Sequence, residues 1–195
     1  MPNVEVPLTG LDPRKPLVLD VRSLQRRPGS MVTENRTVPA PAGLGVAMAR
    51  VPEGSPIDLD LRLESVLEGV LVSGTADLEI SAECSRCLDP VSWHEEFDLS
   101  ELFRYPSTDA RGAVVEEDDE SDDPLPVLKD DLIDLEPTLR DAVVLDLPLA
   151  PLCSEDCLGL CSVCGVRLED DPQHAHDLTD PRWAALAALV DPDRQ

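Results

Sequence analysis

Aromatic side chains are scarce in this sequence: Phe, Trp and Tyr together make up 3% of its 195 residues. A core must therefore be assembled from Leu, Val, Ile and Ala, which gain less per side chain than buried rings do. Positive charge is scarce too. There are 16 Lys and Arg against 40 Asp and Glu, for a formal net charge of −24. A surface that binds nucleic acid directly concentrates basic residues to neutralise phosphates. This chain would repel phosphate over most of its faces. A basic protein is a better-matched partner, although an acidic excess also serves solubility alone. No apolar run approaches a membrane span. The opening "MPNVEVPLTGLDPRKP" lacks the basic-then-apolar plan of a signal peptide. The expected location is the cytoplasm, with no membrane partner. Catalytic signatures are missing as well: no Ser/His/Asp order, no Gly-rich phosphate loop, and no acid pair that stands out from the general acidity. The expectation is a chain that is not an enzyme and has no small-molecule substrate.

What is present is period-two alternation. Leu17, Leu19 and Val21 alternate after Pro16, and Ile57, Leu59, Leu61 and Leu63 do so further on. The cleanest run is Ala76, Leu78, Ile80, Ala82 and Cys84, with Asp77, Glu79, Ser81 and Glu83 between them. These read as half-buried strands with one wet face. "LEGV" at 67–70 reads as a hairpin turn in which Gly69 supplies a permissive backbone. Val91, Trp93, Phe97 and Leu99 continue the pattern after Pro90, so the middle of the chain is expected to be an antiparallel meander. Residues 22–44 hold Pro28, Gly29, Pro39, Pro41 and Gly43 and read as loop-rich. Residues 106–126 form a second break. Their centre, "EEDDESDD" at 116–123, is a block of like charge expected to be disordered. It is either a solvated loop or a means of catching a basic partner.

Two helices are expected. The first runs from about Leu135 to Leu147, with Asp134 as cap, Pro137 in the first turn, Pro148 as stop, and Leu139, Ala142, Val143 and Leu147 on one face. The second begins at "TDPRWAALAALV", with Asp180 as cap, Pro181 at the first position, and Trp183, Leu186, Ala187 and Val190 as its stripe. The fold class is β-rich α+β. It combines an antiparallel meander or partly closed sheet with two helices and a C-terminal zinc-binding segment. The division is a core over residues 1–150 and a Cys/His segment with the last helix over 151–195.

Six cysteines in a reducing compartment read as metal ligands before they read as disulfides. "CSRC" at 84–87 and "CSVCG" at 161–165 have the spacing that lets a tight turn present both sulfurs to one ion, and Gly165 is free to turn left-handed. Cys153 and Cys157 lie between them, and His174 and His176 follow in "QHAH". His94 stands apart in a strand and reads as a surface residue. Structural zinc takes four N or S ligands in a tetrahedron, so six cysteines and two histidines make two complete sites. Division by half-site gives Cys161 and Cys164 to His174 and His176, and Cys84 and Cys87 to Cys153 and Cys157. The latter set would clip the meander to the segment leaving the first helix, across about 65 residues, and stabilise it by a few kcal/mol in principle.

Alternatives stay open at this point. Cys153, Cys157, Cys161 and Cys164 could form one site bent at Gly159, leaving Cys84 and Cys87 as free thiols. "CLGLCSVC" has the C-x3-C-x2-C spacing that holds a four-iron cluster in radical enzymes, but near the end of a β-rich chain rather than at the start of an α/β barrel. The two histidines could be ordinary surface residues. If all eight ligands are used, no position is left for a catalytic water.

"LDVRSLQRRPGSM" at 19–31, "LRLESVLEGVLVSGTADLEISAECSRCLDPV" at 61–91, "DLEPTLRDAVVLDLPLAPLCSEDCLGLCSVCG" at 134–165 and the closing "DPRWAALAAL" together resemble the YceD family, the large ribosomal RNA subunit accumulation proteins. The resemblance implies a cytoplasmic factor supporting accumulation of large-subunit ribosomal RNA. It also implies that His174 and His176 are ligands, because relatives often carry Cys-x-Cys there. It implies two separable sites, because some relatives keep the equivalents of Cys84 and Cys87 without those of Cys161 and Cys164. The family's gene is commonly a neighbour of one for a small basic large-subunit ribosomal protein, so such a protein or a pre-ribosomal particle is the implied partner. The rival classes are a metal-dependent RNA-processing enzyme and a zinc-stabilised regulatory module without a ribosomal role.

Overall fold

The computed structural model describes residues 10–24, 26–107 and 125–176. In chain order the elements are β1 (Val18–Asp20), a single 3-10 turn (Arg22–Leu24), β2 (Met31–Pro39), β3 (Ala49–Arg50), β4 (Pro56–Ser65), β5 (Gly69–Glu83), β6 (Pro90–Arg104), β7 (Leu132–Asp134) and α1 (Glu136–Asp146). The expected meander is there. β5 pairs with β4 on one side and with all 15 residues of β6 on the other, antiparallel throughout. Ile57, Leu59, Leu61 and Leu63 of β4 point inward, as do Ala76, Leu78, Ile80 and Ala82 of β5. β2 pairs with β4, and β3 pairs with the far end of β5.

The segments leading into a two-stranded ribbon of β1 and β7 reach both margins of this larger sheet. At one margin Arg36 of β2 donates to the carbonyl of Pro16 at 3.1 Å. At the other, the Arg104 amide donates to Pro126 and the Leu128 amide donates back to Arg104, at 2.8 and 2.9 Å. One aliphatic core lies beneath, including Leu19, Leu61, Ile80, Ile133, Leu135 and Leu139. Each such side chain contributes about 1.5–3 kcal/mol on burial. Phe97 and Phe103 are buried among them, while Trp93 and Tyr105 pack at the border. Ser65, a buried polar residue, is satisfied by the Tyr105 hydroxyl at 2.9 Å.

Three local expectations need correction. Residues 22–44 are not mainly loop, because β2 runs through them. Only Val38 of that strand is buried, so the strand lacks the alternation that marks its neighbours. Gly69 does not serve a left-handed turn. It begins β5, and a Cβ there would collide with the Phe103 carbonyl, so close approach of β6 is what requires glycine. Asp134 is not the residue at the helix cap; Leu135 is, with no side-chain cap. The Asp134 carboxylate instead accepts the Glu136 amide at 3.1 Å from one position further out. Pro148 does end α1, leaving Leu147 extended. Most of the acidic stretch (108–124) and the second expected helix lie outside the described residues. Among those described, no helix is long and apolar enough to cross a membrane.

Candidate metal centres

Cys84 is the last inward-facing residue of the β5 alternation and is fully buried. The chain then turns back into β6. The Leu88 amide donates to the Cys84 carbonyl at 2.9 Å, and the Cys84 amide donates to Asp89 at 2.8 Å. The turn at Cys161 repeats this plan, with the Gly165 amide on the Cys161 carbonyl at 2.8 Å. In both, the residue after the second cysteine is left-handed: φ is 64° at Leu88 and 73° at Gly165. Glycine meets that need without strain, whereas leucine does not.

The remaining ligands are delivered by the chain leaving α1. The Ser85 amide donates to the Pro151 carbonyl at 2.8 Å, which docks the chain two residues before Cys153. Cys84 and Cys157 then stand with sulfurs 3.8 Å apart, and Cys87 and Cys153 with sulfurs 3.7 Å apart. These are not disulfide distances. Four sulfurs each about 2.3 Å from one ion in a tetrahedron would be separated by about 3.8 Å. The second cluster holds Cys161, Cys164, His174 and His176. Its Cys164 sulfur lies 3.2 Å from Nε2 of each histidine, and the two Nε2 atoms are 2.8 Å apart. Within each cluster the ligand atoms all lie within 4.8 Å of one another, so each could hold a metal ion.

The structure thus brings together all eight residues singled out in the sequence, in the half-site division. The four clustered cysteines of residues 153–164 do not meet as one site. The C-x3-C-x2-C run is likewise split between the clusters. His94 is exposed on β6, its Nδ1 3.6 Å from an Asp77 carboxylate oxygen.

Thiol chemistry within the clusters is uneven. The Cys87 amide, followed by those of Arg86 and Cys153, lowers the Cys84 thiol to about 6 against the opposing effect of burial. The amides of Cys164 and Val163 lower Cys161 to about 6. Hydrogen bonding with Cys157 raises Cys153, and burial raises Cys157. Cys87 receives the Asp89 amide, which lowers it, but burial and the neighbouring Cys84 and Cys153 thiols leave it raised. Four thiols this close cannot all ionise without a cation among them.

Three residues that sequence reasoning passed over connect the clusters. Arg86 lies between Cys84 and Cys87. Its Nη1 donates to the carbonyls of Glu155 and Cys157 at 3.0 and 2.9 Å, and its own carbonyl accepts the Leu160 amide at 3.0 Å. Arg167, from the second cluster's segment, is ion-paired with Asp89, next to the first turn. That pairing holds the Asp89 carboxyl below its usual range. No motif rule marks an arginine inside Cys-x2-Cys as a brace, so the sequence held no usable signal.

An antiparallel sheet bearing two four-residue clusters of thiol and imidazole donors defines a class: a β-rich protein whose clusters could hold two metal ions. Within that class the chain belongs to the family described as Large ribosomal RNA subunit accumulation protein YceD, whose model matches residues 72–190. An uncharacterized protein of Mycobacterium tuberculosis (strain ATCC 25618 / H37Rv) is 44% identical over 178 residues, covering 91% of this chain and 83% of the relative. One of Mycobacterium leprae (strain TN) is 43% identical over 178 residues, covering 91% of this chain and 79% of its own. Uncharacterized protein YlbN of Bacillus subtilis (strain 168) is 30% identical over 144 residues, covering 71% and 77%. No solved structure matches the chain.

Proposed function

We propose that this protein is a non-enzymatic cytoplasmic factor that supports accumulation of large-subunit ribosomal RNA and is held in shape by two structural zinc ions. The family match carries this reading. Residues 72–190 contain most of β5, all of β6 and α1, and all eight clustered ligands. The donor sets support zinc: four thiolates in one cluster, two thiolates and two imidazoles in the other, each filling a tetrahedron.

The partner in this reading is a basic large-subunit ribosomal protein, free or within a pre-ribosomal particle. The outer sheet face supports it. Asp58, Asp77 and Glu96 stand opposite one another across β4, β5 and β6, and Asp60 and Asp98 flank Thr75 in the next row. Like charges directly opposed across strands destabilise a sheet, a cost that a cationic partner would relieve. Depletion followed by quantification of both ribosomal RNAs tests the function. Large-subunit RNA should fall relative to small-subunit RNA; an unchanged ratio would refute the reading. Capture of one basic ribosomal protein at moderate but not high salt is the expected outcome for the partner.

A further inference from the structure

Residues 151–176 contain no named helix or strand, and only Pro151 and Gly159 among them are buried. A segment with no core of its own must take its shape from ligands and from what it leans on. It leans on the Cys84–Cys87 turn. The Arg86 guanidinium holds the two carbonyls of the Cys153–Cys157 loop, and the Arg86 carbonyl holds the amide just before Cys161. Gly159 is pressed so close that a Cβ would lie 3.0 Å from both Cβ and O of Arg86. The Leu168 amide returns to the Gly159 carbonyl at 3.0 Å, and Arg167 reaches Asp89. The second cluster therefore shares its footing with the first.

Building on the metal reading above, we infer that the two centres load in a fixed order and as a coupled pair, with Arg86 as the positioning residue that links them. Chain entropy alone would favour the opposite order. Cys164 and His174 are 10 residues apart, whereas Cys87 and Cys153 are 66 apart. But folding of the sheet and α1 has already closed the long loop, because Pro151 is docked on Ser85. The four-thiolate centre thus starts with two ligands on a rigid hairpin and a third delivered beside them. The mixed centre starts on a segment fixed to the hairpin only through the Leu160–Arg86 and Arg167–Asp89 contacts. Filling the first centre orders residues 153–160, and that ordering presents Leu160 to the Arg86 carbonyl, the Gly159 carbonyl to the Leu168 amide, and Cys161 beside them. Linkage is reciprocal, so the second ion must tighten the first by the same factor.

The test is titration of the metal-stripped full chain with Co2+, whose thiolate charge-transfer absorption separates a four-thiolate from a two-thiolate centre. The four-thiolate signal should saturate first. The double variant Cys153→Ser/Cys157→Ser keeps every ligand of the mixed centre, yet that centre should bind roughly tenfold more weakly or worse, within the roughly 5–150-fold range of such couplings. His174→Ala/His176→Ala should weaken the four-thiolate centre by a matching factor while leaving it able to fill. Arg86→Met keeps all eight ligands and should shrink both effects, with far-ultraviolet circular dichroism confirming an intact sheet. Unchanged affinity of the mixed centre in both the double-serine and the Arg86→Met proteins overturns the coupling. No Co2+ uptake by the parent chain overturns the metal reading itself, a result distinct from independent filling of two sites.

Discussion

Leu88 and Gly165 occupy the same place in two copies of one turn, and exchanging their characters tests whether the turns act as metal cradles. A left-handed backbone costs an ordinary residue about 1–2 kcal/mol. Glycine avoids that cost but gives up about 0.5–1 kcal/mol of chain entropy on folding. Leu88 is 58% exposed, so removing its side chain forfeits little packing. Leu88→Gly should therefore stabilise the first turn by about 0.5–1 kcal/mol. A Cβ at Gly165 would meet nothing within 4 Å, so Gly165→Ala isolates the backbone cost. It should destabilise the second turn by about the same amount. At about 1.4 kcal/mol per tenfold, these are changes of roughly two- to fivefold. Because ordering each turn is coupled to filling its cluster, they should appear in metal affinity. Competition against a chromophoric chelator at fixed pH measures both. Leu88→Gly should bind more tightly and Gly165→Ala more weakly. Shifts in the same direction, or none in either variant, would refute the argument.

Chelation should unfold residues 153–176 and leave the sheet and the docked Pro151 standing. Hydrogen exchange would show it: the amides of Leu160, Cys161, Gly165 and Leu168 should lose protection while those of β4 and β5 keep theirs. Joint loss across the sheet would contradict this. Proton release is the other readout. At pH 7.5 Cys84, lowered to about 6, is already a thiolate, whereas Cys87, Cys153 and Cys157 are pushed up from the ordinary thiol value by burial and by their neighbouring thiols and remain thiols. Filling the four-thiolate centre should therefore release about three protons. Its affinity should fall as pH falls, with a slope of about three that steepens towards four below pH 6. Calorimetry in buffers of different ionisation enthalpy counts them in the His174→Ala/His176→Ala protein, where the other centre is disabled. A count near four would show that Cys84 is not preionised.

The strands that frame the first centre were legible because each buries one face. Ile57 to Leu63 and Ala76 to Cys84 alternate without a break, and burial enforces that pattern. The two clusters of four were legible because the coordination number of structural zinc is fixed and the candidate residues could be counted. β2 was not legible: it is held to β4 largely through backbone groups and buries only Val38, so no alternation marks it. Nor was Arg86. Its task is set by where the carbonyls of Glu155 and Cys157 end up, which depends on contacts 69 and 71 residues away. Gly69 was seen but assigned the wrong cause, since steric approach and left-handed conformation both select glycine and only coordinates separate them.

Charge arranges these parts in a way the net value conceals. A dication with four thiolates carries two net negative charges, whereas one with two thiolates and two neutral imidazoles carries none. The first set forms in a chain already at −24, where a further dianion needs local compensation. Two of the 16 basic residues lie beside it. Arg86 braces the Cys153–Cys157 loop, and Arg167, ion-paired with Asp89, also feels the charge of Cys87. The mixed cluster, neutral when filled, instead has a carboxylate beside it, Asp171, 3.6 Å from Nδ1 of His174. A carboxylate there favours an imidazole that offers Nε2 to the ion. The four-thiolate cluster thus has Arg86 and the Asp89–Arg167 ion pair beside it, and the mixed cluster has the Asp171 carboxylate.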